Sequence, residues 1–208
     1  MFIGDKDVEA VRAYLRISGD VAGDPFRLVI QGTGSQALVT TTNGVFVNTW
    51  HHLCARCTAA DYNEAILDAN FANKGASVVN VGSIAAFDRI AIGATRDSTP
   101  TNYFSGLIAE TAIWSAALTD AEVAALARGI SPLRIRPESL VCYWPLVRTD
   151  QDLVGGYDLT AYNTPTIGDH APMRMGVVPV FVGVPVSGAA TLSINVHDCG
   201  PDVPVIFD

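Results

Sequence analysis

The sequence predicts an all-β protein with one short helix and an extended C-terminal arm. Three observations lead there. Glycine and proline punctuate the chain at short intervals, and the stretches between them are rich in Val, Ile, Thr, Phe and Trp, side chains that suit a pleated, half-buried surface. Only one segment, near 118–126, joins helical apolar spacing to a capping signal. Residues 175–208 contain no Lys or Arg and only the acids Asp198, Asp202 and Asp208. A chain of 208 residues can bury one core, so we expect one domain over 1–172 and an arm over 173–208.

Candidate strands fall, in order, at 11–18, 26–31, 36–41, 50–58, 64–67, 89–92, 106–114, 140–146 and 158–161. The first could also form a helix with Val8, Val11 and Leu15 on one face. Strict alternation of Val11, Ala13, Leu15 and Ile17 with Arg12, Tyr14, Arg16 and Ser18 favours a strand. In 106–114, Glu110 is the only charge, which predicts a strand covered on both faces or carrying a bulge. Thr119 and Glu122 then form a capping box, so a helix starts with almost no linker. Gly129 supplies a left-handed stop, and Ser131-Pro132 blocks continuation. In the arm, VVPVFVGVPV and ATLSINV read as extended segments, too apolar to float free, that dock on a neighbouring subunit or complete an edge.

Composition removes several classes of function. Thirteen basic against 21 acidic side chains give a formal charge of -8, and no short window holds more than two cations, so neither nucleic acid nor an anionic membrane is an expected partner. MFIGDKDVEA puts charges where a secretory leader carries its apolar core, and no run has the length of a membrane span, so we expect a soluble chain without export signal. Cys54, Cys57, Cys142 and Cys199 are too scattered for a disulfide framework and fit reduced thiols. Only 16% of residues are charged, which favours an assembly that hides part of the surface.

A family resemblance rests on residues taken in order: Trp50, His52, Leu53 and Ala55; Ile66, Leu67 and Asp68; Ile92 and Gly93; then Phe104, Gly106, Ile108, Glu110 and Trp114 leading into 118–126. This series resembles the laminin-G-like, concanavalin A-like jelly-roll domains over roughly 11–146. The resemblance implies a two-sheet antiparallel jelly-roll sandwich whose helix caps one end. Ala69 stands where the usual Asp-Gly turn has glycine, leaving the turn type open. Residues 140–166 look like the segment that usually opens these domains, which implies permuted terminal strands. That arrangement resembles proteins encoded by tailed phages and prophages.

WHHLCARC invites a zinc reading, yet on a strand Cys54 and Cys57 point to opposite faces, roughly 10 Å apart at ~3.3 Å per residue, and no second ligand pair follows. Glycanases of this architecture resemble one another in closely spaced carboxylates on one strand. None of the five glutamates here stands two or four residues from another, and Glu110 reads as a structural carboxylate. No nucleophile elbow or phosphate loop appears, so no enzyme is expected. The binding candidates are loop residues: Asp61 and Tyr62 in one loop, Asp97, Asn102 and Tyr103 in another, with tyrosines able to stack on a sugar ring. No cofactor is assigned; calcium is the one ion the resemblance leaves open, with Asp97, Thr101 and Asn102 as hard donors. The expected function is a non-enzymatic structural protein of a tailed-phage virion, a capsid decoration or tail appendage. It would assemble in the host cytoplasm, oligomerise through the arm and end on the particle surface. The alternative is a glycan-binding module for host-surface adhesion.

Overall fold

The structure is a computed structural model that describes residues 2–4, 11–19, 22–59, 61–82, 89–96, 100–101, 103–162, 164–174 and 190–198. In chain order the strands are β1 (Phe2–Gly4), β2 (Arg12–Ile17), β3 (Pro25–Gln31), β4 (Gln36–Gly44), β5 (Trp50–Ala59), β6 (Tyr62–Leu67) and β7 (Gly75–Ser77). There follow β8 (Arg89–Ala91), β9 (Thr95–Arg96), β10 (Pro100–Thr101), β11 (Gly106–Trp114), helix α1 (Asp120–Ala127), β12 (Leu140–Trp144) and β13 (Ala190–Asp198). Two antiparallel sheets form the body, in the orders β4-β3-β2-β1-β8 and β12-β11-β13-β5-β6-β7.

Period-two alternation builds the core between the sheets. Leu15, Phe26, Leu28, Ile30 and Val39 from the first sheet meet Leu53, Leu67, Trp144, Leu192 and Ile194 from the second. Val11, Ala13 and Leu15 are buried while Arg16 is exposed, so the first segment is a strand as its alternation predicted. The six-stranded sheet is covered on its other face too, where Cys54, Ile66, Ala112 and Trp114 pack against Leu118, Val123, Leu126 and Ile135. Strand β11 therefore has both faces covered, and its register slips between Ala109 and Ala112 in a bulge.

The helix begins on Thr119 with a complete capping box and ends before Gly129 at φ +84°. It lies over the outer face of the six-stranded sheet, a correction to the expectation that it caps an end. Its buried apolar residues, Val123, Ala125 and Leu126, need an apolar sheet face, and Cys54, Ile66 and Ala112 provide one. The turn left open at Ala69 is resolved as well. Asp68 and Ala69 both have left-handed φ (+53° and +54°), and Asn70 N–H donates to the Leu67 carbonyl at 2.9 Å, the pattern of a type I′ turn that opens the longer connection to β7.

Two further expectations are corrected. Residues 158–161 form no strand: Leu159 N–H donates to the Asp150 carbonyl and the Asp158 carboxylate accepts from Asp152 N–H, so local loop bonds take the groups that a ladder would use. The arm was expected to dock on a neighbour, yet β13 lies inside its own chain's sheet, hydrogen-bonded between β11 and β5. Leu192 and Ile194 go to the core while Thr191 and Ser193 face the helix side, an alternation that suits a central strand with small polar residues outward. Residues 175–189 and 199–208 of the arm lie outside the described residues.

Candidate functional site

The outer face of the six-stranded sheet concentrates the polar groups of the body, because β5 and β13 turn His52, Arg56, Thr191 and Ser193 that way. Arg56 organises one end. Its Nε donates to Glu64 Oε2 at 2.6 Å, and its Nη1 donates to the Leu118 carbonyl at 2.9 Å and to Asp120 Oδ1 at 2.7 Å. Lys74 pairs with the other Glu64 oxygen, and Thr191 Oγ1 accepts from Leu118 N–H at 2.8 Å. Burial alone would raise the Glu64 pKa, but hydrogen bonds from Lys74 and Arg56, with their charges, hold it below the ordinary value. This network fastens the start of α1 to the sheet.

A second cluster surrounds the bulge. Glu110 has φ +56°, an uncommon conformation for a residue with a Cβ, and its N–H donates to the Pro145 carbonyl at 3.2 Å. Tyr143 Oη donates to Glu110 Oε2 at 2.7 Å, and His170 Nε2 stands 3.1 Å from Oε1, an ion-pair approach without hydrogen-bond alignment. His170 Nδ1–H donates to the Ala171 carbonyl at 2.8 Å. Burial raises the Glu110 pKa above the carboxylate norm, with Tyr143 and His170 opposing, and burial followed by the Glu110 charge raises that of Tyr143. Both carboxyl oxygens are engaged, so Glu110 acts as a clasp that holds residues 164–174 against the sheet.

A carboxyl whose folded pKa lies above its unfolded value, about 4.3, contributes stability below that value and loses it as pH rises through the folded pKa. Glu110→Gln removes this loss. Relative to the parent, the variant is expected to gain melting temperature as pH rises above about 4.3 and to keep a constant advantage once the folded carboxyl is ionised. Glu110→Ala, which orphans the Tyr143 hydroxyl, should cost about 1–3 kcal/mol. Melts of all three proteins from pH 4 to pH 8 check both statements.

The clasped segment lies between two clefts. One, of about 440 Å³, runs beside Leu107, Leu146, Arg148 and His170. The other, of about 370 Å³, lies beside the Asp68 turn and the end of α1, with Trp50, His52, Asp68, Arg128, Met173 and Arg174 in its walls. Asp68 Oδ1 accepts from His52 N–H at 2.8 Å and Oδ2 from His51 Nδ1 at 2.6 Å. His51 Nε2 lies 2.9 Å from Phe46 N and 3.3 Å from the Phe46 carbonyl oxygen, contacts that hold the ring with Nδ1 aimed at Asp68. Behind them His52 Nε2 meets Ser193 Oγ at 2.7 Å. Ser193, His52 and Asp68 are the residue types of a hydrolytic triad but not its geometry: the carboxylate meets the His52 backbone rather than its ring, and Ser193 and His52 are buried. Burial, only partly opposed by Asp68, lowers the His52 pKa to about 4, so the ring is neutral at physiological pH.

Of the loop residues picked from the sequence, Asp61 is exposed and Tyr62 half-buried where β5 turns into β6, and Tyr103 is exposed just before β11. The structure does not bring them together. Tyr62 pairs with Ala59 at one end of the sheet, while β11 begins at the other, where Gly106 pairs with Asp198 and His197 with Trp50. Asp97 and Asn102 lie outside the described residues, as does the Thr101 side chain. Cys54 and Cys57 fall on opposite faces, in different apolar clusters, and burial pushes their thiols up to about 12 and about 11. Among the described residues no group of three His, Cys, Asp or Glu could hold a metal ion. Sequence reasoning missed Asp68, Arg128, His170 and Arg174 as site residues. Asp68 carried a signal, standing four residues after Glu64, and Arg174 is the last cation before the apolar arm; Arg128 and His170 carried none.

Two facing antiparallel sheets with one core between them define an antiparallel β-sandwich. A laminin-G family model, described as the concanavalin A-like lectin/glucanases superfamily, matches residues 2–124, and the chain belongs to that family. Strands β12 and β13, which complete the six-stranded sheet, lie beyond the matched region. No curated protein and no solved structure matches the chain.

Proposed function

We propose that this protein is a non-enzymatic structural component of a tailed-phage particle, displayed on the particle surface after assembly in the host cytoplasm. The observation that carries this reading is an apolar loop held rigidly beside the edge strand β12. Asp152 builds the loop: Oδ1 accepts from Tyr143 and Val154 N–H, and Oδ2 accepts from Gly155 and Tyr157 N–H, all at 2.8–3.0 Å. Trp144 Nε1 donates to the Tyr157 carbonyl at 2.7 Å. Leu153, Val154, Tyr157 and the neighbouring Val141 are left 38–59% exposed. A preorganised apolar surface at a sheet edge supports contact with another subunit. Acid–base chemistry has little support, since Glu64 and Glu110 are buried, both Glu64 oxygens are held by Arg56 and Lys74, and Glu110 Oε2 accepts from Tyr143.

The test is Leu153→Gln combined with Val154→Gln, which leaves Asp152 in place. The pair should keep the parent's melting temperature within about 1 kcal/mol of stability while losing self-association, read as mass in solution, and incorporation into particles. Unchanged mass and incorporation would contradict the proposal. A second reading, glycan binding for host adhesion, is favoured by one observation, the open cleft beside Trp50, where an aromatic ring, a carboxylate and two guanidinium groups converge.

A further inference from the structure

We infer that the cleft between the Asp68 turn and the end of α1 is a subsite for an acidic sugar, a pyranose carrying one carboxylate. The inference rests on the glycan-binding reading and narrows it to a place and a charge. At about 370 Å³ the cleft lies near the lower end of the range for small-ligand sites, ~300–1,000 Å³, which suits one or two sugar rings. Trp50, half-buried at the start of β5, offers an aromatic surface to the apolar face of a ring.

The Asp68 carboxylate is positioned before any ligand arrives. Asp68 is held through both oxygens by His52 N–H and His51 Nδ1–H, and each oxygen keeps a lone pair for a hydroxyl. Its side chain remains 42% exposed. Arg174 N–H donates to the Gly129 carbonyl at 2.8 Å, which brings Arg174 beside Arg128. That approach requires the glycine: at φ +84°, a Cβ on Gly129 would stand 2.4 Å from the Pro172 carbonyl oxygen. Arg128 and Arg174 are both exposed, and among the described residues no carboxylate pairs with either.

Charge selects the ligand. Two guanidinium groups against one carboxylate, with the His51 ring beside that carboxylate, give the cleft an excess of positive charge in a protein whose formal charge is -8. A monocarboxylate balances that charge and matches the guanidinium fork. The second negative charge of a phosphate monoester would face Asp68. Ring hydroxyls can bridge Asp68 and the guanidinium groups, which a simple carboxylic acid cannot do.

Trp114 and Trp144 are fully buried, so Trp50 is the partly exposed member of the three tryptophans and its fluorescence reports on the cleft. The full chain is titrated with a glucuronic-acid disaccharide, with its methyl ester and with a neutral disaccharide. The acid should quench Trp50 saturably, and the ester and the neutral sugar should bind roughly tenfold more weakly. Arg128→Gln and Arg174→Gln should each weaken the acid about tenfold without changing the melting temperature, and leave the ester unaffected. Acid and neutral sugars bound equally, or acid binding untouched by both arginine variants, would overturn the subsite while leaving glycan binding standing. No binding of any of the three sugars at roughly tens of millimolar would overturn both.

Discussion

A chain that ends at residue 189 is expected not to fold. Strand β13 pairs in register with β5 from Ala190 to His197 and with β11 from Thr191 to Asp198, so its removal turns two interior strands into unpaired edges. Leu192 and Ile194 leave the core, at about 1.5–3 kcal/mol each, and Leu118 N–H and the His52 ring lose Thr191 and Ser193. Two ladders, two core side chains and two buried polar partners together exceed the ~5–15 kcal/mol margin of a typical domain. Circular dichroism should show a chain without a cooperative melt. Ending at residue 198 keeps every described strand, and that chain should melt cooperatively. A folded 1–189 chain would mean that β5 and β11 do not depend on the arm.

Arg56→Ala is the second change with a large expected effect. It leaves Glu64, 2% exposed, without its guanidinium partner and strips the Leu118 carbonyl and Asp120 of their donor, which should cost about 3–5 kcal/mol. Replacing the pair together, Arg56→Met with Glu64→Leu, should recover most of the loss, because no uncompensated charge then remains buried. The pH dependence separates this network from mere packing. The folded pKa of Glu64 lies below its unfolded value of about 4.3, so its contribution is complete above that value and is lost as pH falls through the folded pKa. Urea melts from pH 7 down to pH 3 should show that acid-side loss in the parent and a smaller one in Arg56→Ala. Equal slopes would mean that Lys74 alone sets the charge state of Glu64.

How much of this was legible in the sequence varies by level. Local patterns carried the strands: 106–114 and 26–31 fall within a residue of β11 and β3, and alternation settled 11–18 against a helix. The helix followed from Thr119, Glu122 and Gly129, because capping is a contact between residues three positions apart. What was not legible depends on partners far along the chain. ATLSINV reads as extended, but its slot between β5 and β11 is set by pairs such as Ser193 with Cys54, and no local pattern carries a separation of that size. The clefts failed to show for the same reason. Asp68 comes from a turn, Arg128 from a helix end and Arg174 from a loop, and only the packing of α1 across the sheet brings them to one place.

Hydrogen exchange of the backbone amides of the protein tests the central claim most directly, namely that β13, close to the C-terminus in sequence, is an interior strand of the sheet. Amides of residues 191–197 should exchange as slowly as those of β5 and β11, through global unfolding alone. Exchange of that segment at the rate of an open loop, with β5 and β11 still protected, would contradict it.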